Sequence, residues 1–360
     1  DEARRLFEEG QAQAGRLGQA DLRAMLVFAF ASVTMLGGDL RGGLARYLEA
    51  AHIGEEVGDP GLRAVLAMGP ALMQTLVGPL GEGLSWVDRG IAACEGDLER
   101  GVPITGYSPL VRLINFRCDI ALRMGRLADA RTDAARALRA ARERAEPELL
   151  AWALGSSSVL NWMTGGEDDQ LAVAADAVKI GEDTGNALSL VYGLAALALA
   201  HLALGQPAEA ISAAERALTE ARSRRSVLLF EAEILAWLAE ARLRAGDPAG
   251  AATAAEEAVT VARRQGARVA ECQALLTRAR VARATESGNF EEAVFADLTS
   301  AHTLVRETGA LTYEAFIREE LGRLHMDESE LAEALHLYRS IGATGHASRL
   351  DAELASSKRT

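Results

Sequence analysis

Nucleotide hydrolysis needs a lysine set behind a glycine-rich turn that cradles phosphate. The chain holds two lysines, Lys179 in AAVKIGED and Lys358 near the end, and neither follows such a turn. Metal chemistry needs ligands grouped at short spacing. The six histidines give no HExxH: His336 and His346 stand ten residues apart across a turn, and His201 is alone on an apolar stretch. Each reads as a satisfied structural histidine. Gly155-Ser156-Ser157-Ser158 has neither the G-x-S-x-G spacing nor the preceding strand of a nucleophile elbow. Cys94, Cys118 and Cys272 are scattered, without CxxC spacing, and read as reduced thiols. With no catalytic constellation, the expectation is a chain that is not an enzyme and needs no cofactor or metal.

Binding chemistry remains. Arg112 and Asn115 are spaced to lie one helical turn apart, where they can hold a carboxylate or the backbone of a peptide. The run ARTDAARALRAARERAEP places Arg131, Arg139, Arg142 and Arg144 on one helix, broken by Asp133 and Glu143, and alternating signs read as a solvated face. The net charge of −13 and pI near 5.1 argue against nucleic acid, which needs a basic surface. There is no signal peptide and no stretch of about 18 apolar residues to span a bilayer, so neither membrane nor export is expected. A cytoplasmic location is the expectation. The chain opens at Asp1 inside a helical pattern, DEARRLFEEGQAQA, as a piece of a longer protein would.

The elements that must position these residues repeat. Leu190–Arg222 and Phe230–Arg263 each give an Ala/Leu-rich helix, a Gly-x-Pro-Ala turn and a second helix with small residues at fixed places. Gly205 is followed by Ala210 and Ala217, and Gly246 by Ala251 and Ala258, where two helices of a hairpin approach too closely for a larger side chain. The glycine is expected to end the first helix in a left-handed residue. Further turns fall at Gly38, Gly78, Gly125, Gly166 and Gly288, with a degenerate one at Met326, at intervals of 40, 47, 41, 39, 41, 42 and 38 residues. The predicted fold is therefore all-α, a single solenoid of about eight antiparallel helical hairpins over residues 1–360. The chain exceeds the roughly 250–300 residues over which one core keeps growing, a limit a solenoid escapes. With 49% hydrophobic but 5% aromatic residues, its core must be built from Ala, Leu and Val. The surplus in the longest interval lies at 94–109, where Gly96, Gly101, Pro103, Gly106 and Pro109 forbid continuous helix. It reads as a loop between hairpins or as a lid with Tyr107 as its one large contact. Residues 331–354 read as a capping hairpin.

The glycine turn with Ala five and twelve residues on resembles the tetratricopeptide repeat, with a period near 40 in place of 34. That resemblance covers almost the whole chain and implies a right-handed superhelix whose first helices line a concave face. It lacks the family's usual Trp and Tyr in the first helix and most of its closing prolines. The closing GATGHA, Gly342 to Ala347, with Arg349, Leu350, Glu353 and Leu354, is similar to the end of repeat tails in bacterial proteins that join a class III adenylate cyclase to an ATPase module. The repeat regions of large ATP-binding LuxR-type regulators are similar too, though their helix-turn-helix domain is missing here.

Carrying the repeat phase over places Met25, Phe28, Met35, Val65 and Met68 on the inner face of the first two hairpins. The third contributes Arg112, Asn115, Asp119 and Arg123, the fourth Ser156 and Met163, the fifth Tyr192, and the sixth Glu233 and Glu240. The methionines suit either an adaptable peptide-binding surface or ordinary hairpin core. The expected function is a non-catalytic interaction or regulatory domain, the C-terminal sensor or scaffold arm of a bacterial signalling protein. Its partner would be a protein or peptide in the groove, or upstream domains of the same polypeptide. The alternative is a small-molecule sensor, which a closed pocket near Tyr192 and Trp162 would favour over an open groove.

Overall fold

The computed structural model describes residues 2–166, 170–285 and 290–357. Among these, every long element is an α-helix and none is a strand. A first helix, α1 (Glu2–Leu17), leads into hairpins α2/α3 (Ala20–Leu36, Leu40–Val57) and α4/α5 (Pro60–Val77, Leu80–Cys94). The short α6 (Val102–Thr105) interrupts the insertion before α7/α8 (Pro109–Arg123, Leu127–Glu143) and α9/α10 (Pro147–Thr164, Leu171–Thr184). Next come α11/α12 (Ala187–Ala203, Pro207–Arg224) and, past a 3-10 turn at Leu228–Phe230, α13/α14 (Glu231–Arg244, Pro248–Gln265). The chain closes with α15/α16 (Arg268–Thr285, Phe290–Thr308), α17/α18 (Thr312–His325, Glu328–Ile341) and α19 (Thr344–Ser357). This is the all-α hairpin solenoid the repeat spacing predicts.

The turn chemistry explains the punctuation. Gly205 and Gly246 sit at φ 68° and 79°, the left-handed region where a Cβ is costly. Two residues on, Pro207 and Pro248 open the next helix at a position whose N–H would have no partner in any case. Asp39, Asp59, Asn186 and Asp247 cap their helices by accepting a backbone N–H three residues ahead. In the fourth hairpin the left-handed cap is Gly165 at φ 62°, one residue before the expected Gly166. Met326 takes the same conformation at φ 54° without being glycine. The seventh turn, Gly288, lies outside the described residues, and there the buried face begins at Val294 while Ala293 is exposed.

Burial separates the two helices of each hairpin. Second helices bury one stripe: α12 buries Ala210, Ala213, Ala214, Ala217, Leu218 and Ala221 and leaves its charges outside. First helices are buried nearly all round, as in α13, where every residue from Glu231 to Ala239 is covered. A first helix packs on its own partner, on both neighbouring hairpins and across the superhelical axis. That fourth contact comes from the winding. The turn of hairpin one meets the end of α14, since a Cβ on Gly38 would stand 3.3 Å from the Gln265 amide nitrogen. One on Gly78 would stand 2.9 Å from Thr308 at the end of α16. One on Gly125 would stand 3.0 Å from Ile341 at the end of α18, and one on Gly165 2.6 Å from the His346 nitrogen of α19. Hairpins one to four thus rest on hairpins six, seven, eight and the cap, so the superhelix closes on itself after five hairpins. The hydroxyl of Thr312 donates to the Leu122 carbonyl across the same boundary.

Candidate functional site

The residues expected on an open concave face are covered by this closure. Met35, Val65 and Met68 are buried in the hairpin core, the second of the two readings given to the methionines. Met35 sulfur accepts from the Tyr47 hydroxyl at 3.9 Å. Met25 and Phe28 are half-buried, with the Phe28 ring edge-on to Tyr47.

The third to sixth hairpins bring their polar inner residues together as a sealed seam. The Arg112 guanidinium lies 4.0 Å from both the Phe116 and Trp152 ring centroids and donates to Asn115 Oδ1 at 3.1 Å. Asn115 Nδ2 donates to Ser156 Oγ at 2.7 Å, which is 3.3 Å from the Tyr192 hydroxyl. Arg123 Nη2 donates to Glu233 Oε1 at 2.9 Å, joining residues 110 apart in sequence. Burial lowers the Arg112 pKa from its ordinary value. Burial also opposes the charge on Arg123, yet Glu233 and its other neighbours hold it above the ordinary arginine value. Asp119 is raised by burial, with Arg123 pulling the other way, and its Oδ1 has no hydrogen-bond partner. The proposed Arg112–Asn115 carboxylate site is therefore already occupied by Trp152, Phe116 and Ser156.

The insertion borders this seam at Trp152. Tyr107 packs edge-on against Trp152 at 5.7 Å, and Arg144 ties Glu99 and Glu146 together. Asp133, read as part of a solvated run, is instead buried under a two-pronged bond from Arg117 at 2.8 and 2.7 Å. Arg131, Arg139 and Arg142 are exposed. The three cysteines are free and buried, and burial raises each thiol, Cys94 to about 11.

Toward the C-terminal end the inner helices surround a cavity of about 850 Å³. Its lining includes Asn161 and Trp162 of α9, Glu240 and Arg244 of α13 and Arg280 and Arg283 of α15. It continues with Phe316, Glu320 and Arg323 of α17 and His346, Arg349 and Glu353 of α19. Glu320 accepts from Arg280 Nε at 2.9 Å and from Arg283 Nε at 3.0 Å. Glu319 accepts from Arg349 at 2.8 and 2.7 Å, from Arg323 at 2.7 Å and from the Tyr338 hydroxyl at 2.7 Å. Burial would raise Glu319, but the hydrogen bond from Arg349 and the charges of Arg349, Arg323 and Arg280 hold it below the usual glutamate value. His346 Nε2 donates to the Trp162 carbonyl at 3.0 Å, and its ring stacks on Tyr338. Burial pushes that imidazole down to about 4, so it is neutral at ordinary pH. No residue of the 94–109 insertion lines the cavity.

Of the residues expected from sequence, Glu240 lines the cavity, and so does Trp162, named as the marker of a closed pocket. Its arginines were missed, and the register that found the seam reaches only the aromatic and acidic residues beside them. Inner positions fall thirteen, ten and six residues before a turn, as Arg112, Asn115 and Asp119 do before Gly125. Counted back from Met326, the same offsets give Tyr313, Phe316 and Glu320. His346, read as structural, does make a structural bond, and it also forms part of the cavity wall.

No family model matches the chain, and no curated protein is matched by its sequence. The fold is similar to that of a Rap protein complexed with competence and sporulation factor, with a TM-score of 0.61 at 12% identity, covering 94% of this chain and 98% of that one. It is also similar to a signal transduction ATPase with numerous domains that has a tetratricopeptide repeat sensor, from Pyrococcus horikoshii, with a TM-score of 0.50 at 13% identity. That match covers 91% of this chain but 50% of the ATPase's length. At such identities the likeness defines the class of fold, a tetratricopeptide-like helical-repeat solenoid. Among the described residues no helix is long and apolar enough to cross a membrane.

Proposed function

We propose that the chain is a non-catalytic regulatory repeat domain that takes a short peptide or small ligand into the cavity inside its superhelix. The observation that carries this reading is that one cavity is ringed by inner helices from α9 round to α19, where α19 comes back against α9. A ligand touching both α9 and α19 binds the closed superhelix better than an opened one, and that differential affinity is what shifts a conformational population. The output is a change in superhelical curvature, felt by whatever domain or partner protein contacts the array. The Rap protein complexed with competence and sporulation factor and the ATPase with its repeat sensor support a regulatory role on this fold. The resemblance of its closing GATGHA stretch extends the proposal to a parent signalling protein of the cyclase and ATPase type, with this chain as its sensor arm.

The cavity, half-open to solvent and about 850 Å³ in volume, falls within the roughly 300–1,000 Å³ usual for small-ligand sites and is large enough for a short peptide or a metabolite. This favours the small-molecule sensor of an ATP-dependent LuxR-type regulator as the second reading. The test is to incubate the purified chain with a peptide- and metabolite-sized cell extract, wash it, denature it and identify what is released by mass spectrometry. A retained compound that raises the melting temperature is expected. Nothing retained and no thermal shift would overturn the ligand-sensing role.

A further inference from the structure

The cavity arginines are not equivalent. Arg323 and Arg349 each pair through Nη nitrogens with both Glu319 and Glu353, and Arg244 bonds Glu240 and the Leu202 carbonyl, although Arg323 Nε is left without a partner. Arg280 and Arg283, three residues apart on α15 and so on one helix face, share the single carboxylate of Glu320, whose side chain is 3% exposed. Each reaches it through Nε alone, so the paired Nη nitrogens of both forks make no hydrogen bond within the described residues. Five guanidinium groups around the cavity face four carboxylates, Glu240, Glu319, Glu320 and Glu353, which leaves one positive charge in excess. That excess sits at the shared pair.

A second observation points the same way. Behind Trp162 and Phe316 the cavity narrows to a void of about 30 Å³ bordered by Trp237, Gln273 and Tyr313. Trp237 is buried there, and its indole N–H has no hydrogen-bond partner. A buried donor left unmatched in a cavity wall is a place where a ligand acceptor or a water belongs. Phe316, Leu243 and Leu204 supply apolar surface to the cavity lining.

We infer that the cavity binds its ligand by a carboxylate, seated on the free forks of Arg280 and Arg283, with the ligand body against Phe316 and Trp162. This rests on the reading that the cavity takes a ligand, and in the peptide form of that reading the carboxylate is the C-terminus. A planar fork matches a carboxylate with two parallel bonds. A single excess charge balances a monoanion, whereas a phosphate dianion would leave the site negative.

The test uses a randomised short-peptide pool made once with free C-termini and once as C-terminal amides, with the monocarboxylate phenylacetate and inorganic phosphate as further probes at constant ionic strength. Retained peptides are read by mass spectrometry and the small anions by thermal shift. The comparison protein is Arg280→Lys/Arg283→Lys, which keeps cations for the buried Glu320 but removes the forks; its circular dichroism and melting curve confirm folding. Retention from the free-acid pool alone is expected, weaker by roughly ten- to a hundredfold in the double variant. Equal retention of acid and amide pools would leave peptide binding intact and overturn the carboxylate assignment. If neither pool is retained but phenylacetate stabilises the wild type and not the variant, the carboxylate site stands with a non-peptide ligand. Phosphate stabilising more than phenylacetate, or no response to any probe, would overturn it.

Discussion

The inner face carries two sets of arginines and glutamates on equivalent first helices, and they have opposite fates. In the seam of α7 to α13, Arg112 is covered by two rings and Arg123 is paired with Glu233, leaving Asp119 Oδ1 and Arg123 Nε buried without a partner. In the cavity of α15 to α19, Arg280 and Arg283 share one carboxylate and keep donors in reserve. Residue type does not separate the two sets. What separates them is whether the next superhelical turn comes close enough to exclude water. Where it does, each charge must be matched inside the protein, since an unmatched one costs several kcal/mol. Where it does not, solvent tolerates the mismatch and the site stays available.

The comparison can be broken most severely in the seam. Glu233→Ala leaves Arg123 buried without its partner, and a loss of about 3–5 kcal/mol in unfolding free energy is expected by denaturant titration. Arg123→Leu/Glu233→Leu should restore most of it, because removing both charges removes the desolvation cost. If the single variant cost less than about 1 kcal/mol, the seam would be wet and the contrast with the cavity would vanish.

Closure itself comes next. Gly165→Ala puts a Cβ 2.6 Å from the His346 nitrogen in a left-handed residue, so a destabilisation of about 2–3 kcal/mol is expected in the same titration. The analogous change at Gly205, also left-handed but with open space around it, isolates the backbone strain and should cost about 1–2 kcal/mol. The difference between the two measures the contact between turns.

Acid should loosen the cavity wall before it loosens the seam. His346 faces Arg349, Arg280 and Glu319, and its folded pKa of about 4 lies below the ordinary 6.5. Between those values the unfolded chain binds the extra proton, so stability is complete above pH 6.5 and falls as pH drops toward 4. The loss is on the order of 2 kcal/mol after allowing for partial solvent contact, and His346→Gln should flatten that part of the profile. Asp119, raised by burial, runs the other way, giving up stability as pH climbs through its folded value, which blunts the slope. Glu319 is depressed, so its contribution is lost only below the usual carboxylate range. At the weak end, Lys179→Ala on the outer face of α10 breaks an exposed pair with Asp183 and should leave the denaturation midpoint unmoved.

The hairpins were legible because their signals are local. Gly205 and Gly246 with their following prolines state a turn within four residues, and Ala210, Ala217, Ala251 and Ala258 state a close approach within one hairpin. Closure was not legible, because it joins Gly38 to Gln265 and Gly165 to His346, contacts about 180 to 230 residues apart that no spacing encodes. That is why the sequence leaves Met35 and Met68 open between a groove surface and the hairpin core in which they lie. The GATGHA stretch shows the same division. Its helix-breaking Gly342 was readable, but the reason for a small residue at Gly345 is visible only against Gly165, whose carbonyl oxygen occupies the space a Cβ would take.

The most direct test of the closed superhelix is small-angle X-ray scattering of the wild-type chain beside Gly345→Leu. The account predicts that the wild type scatters as the compact, self-contacting solenoid and that the variant, its contact between turns forced apart, shows a larger radius of gyration and maximum dimension. Identical curves for the two, or a wild type already as long as an open array of eight hairpins, would contradict it.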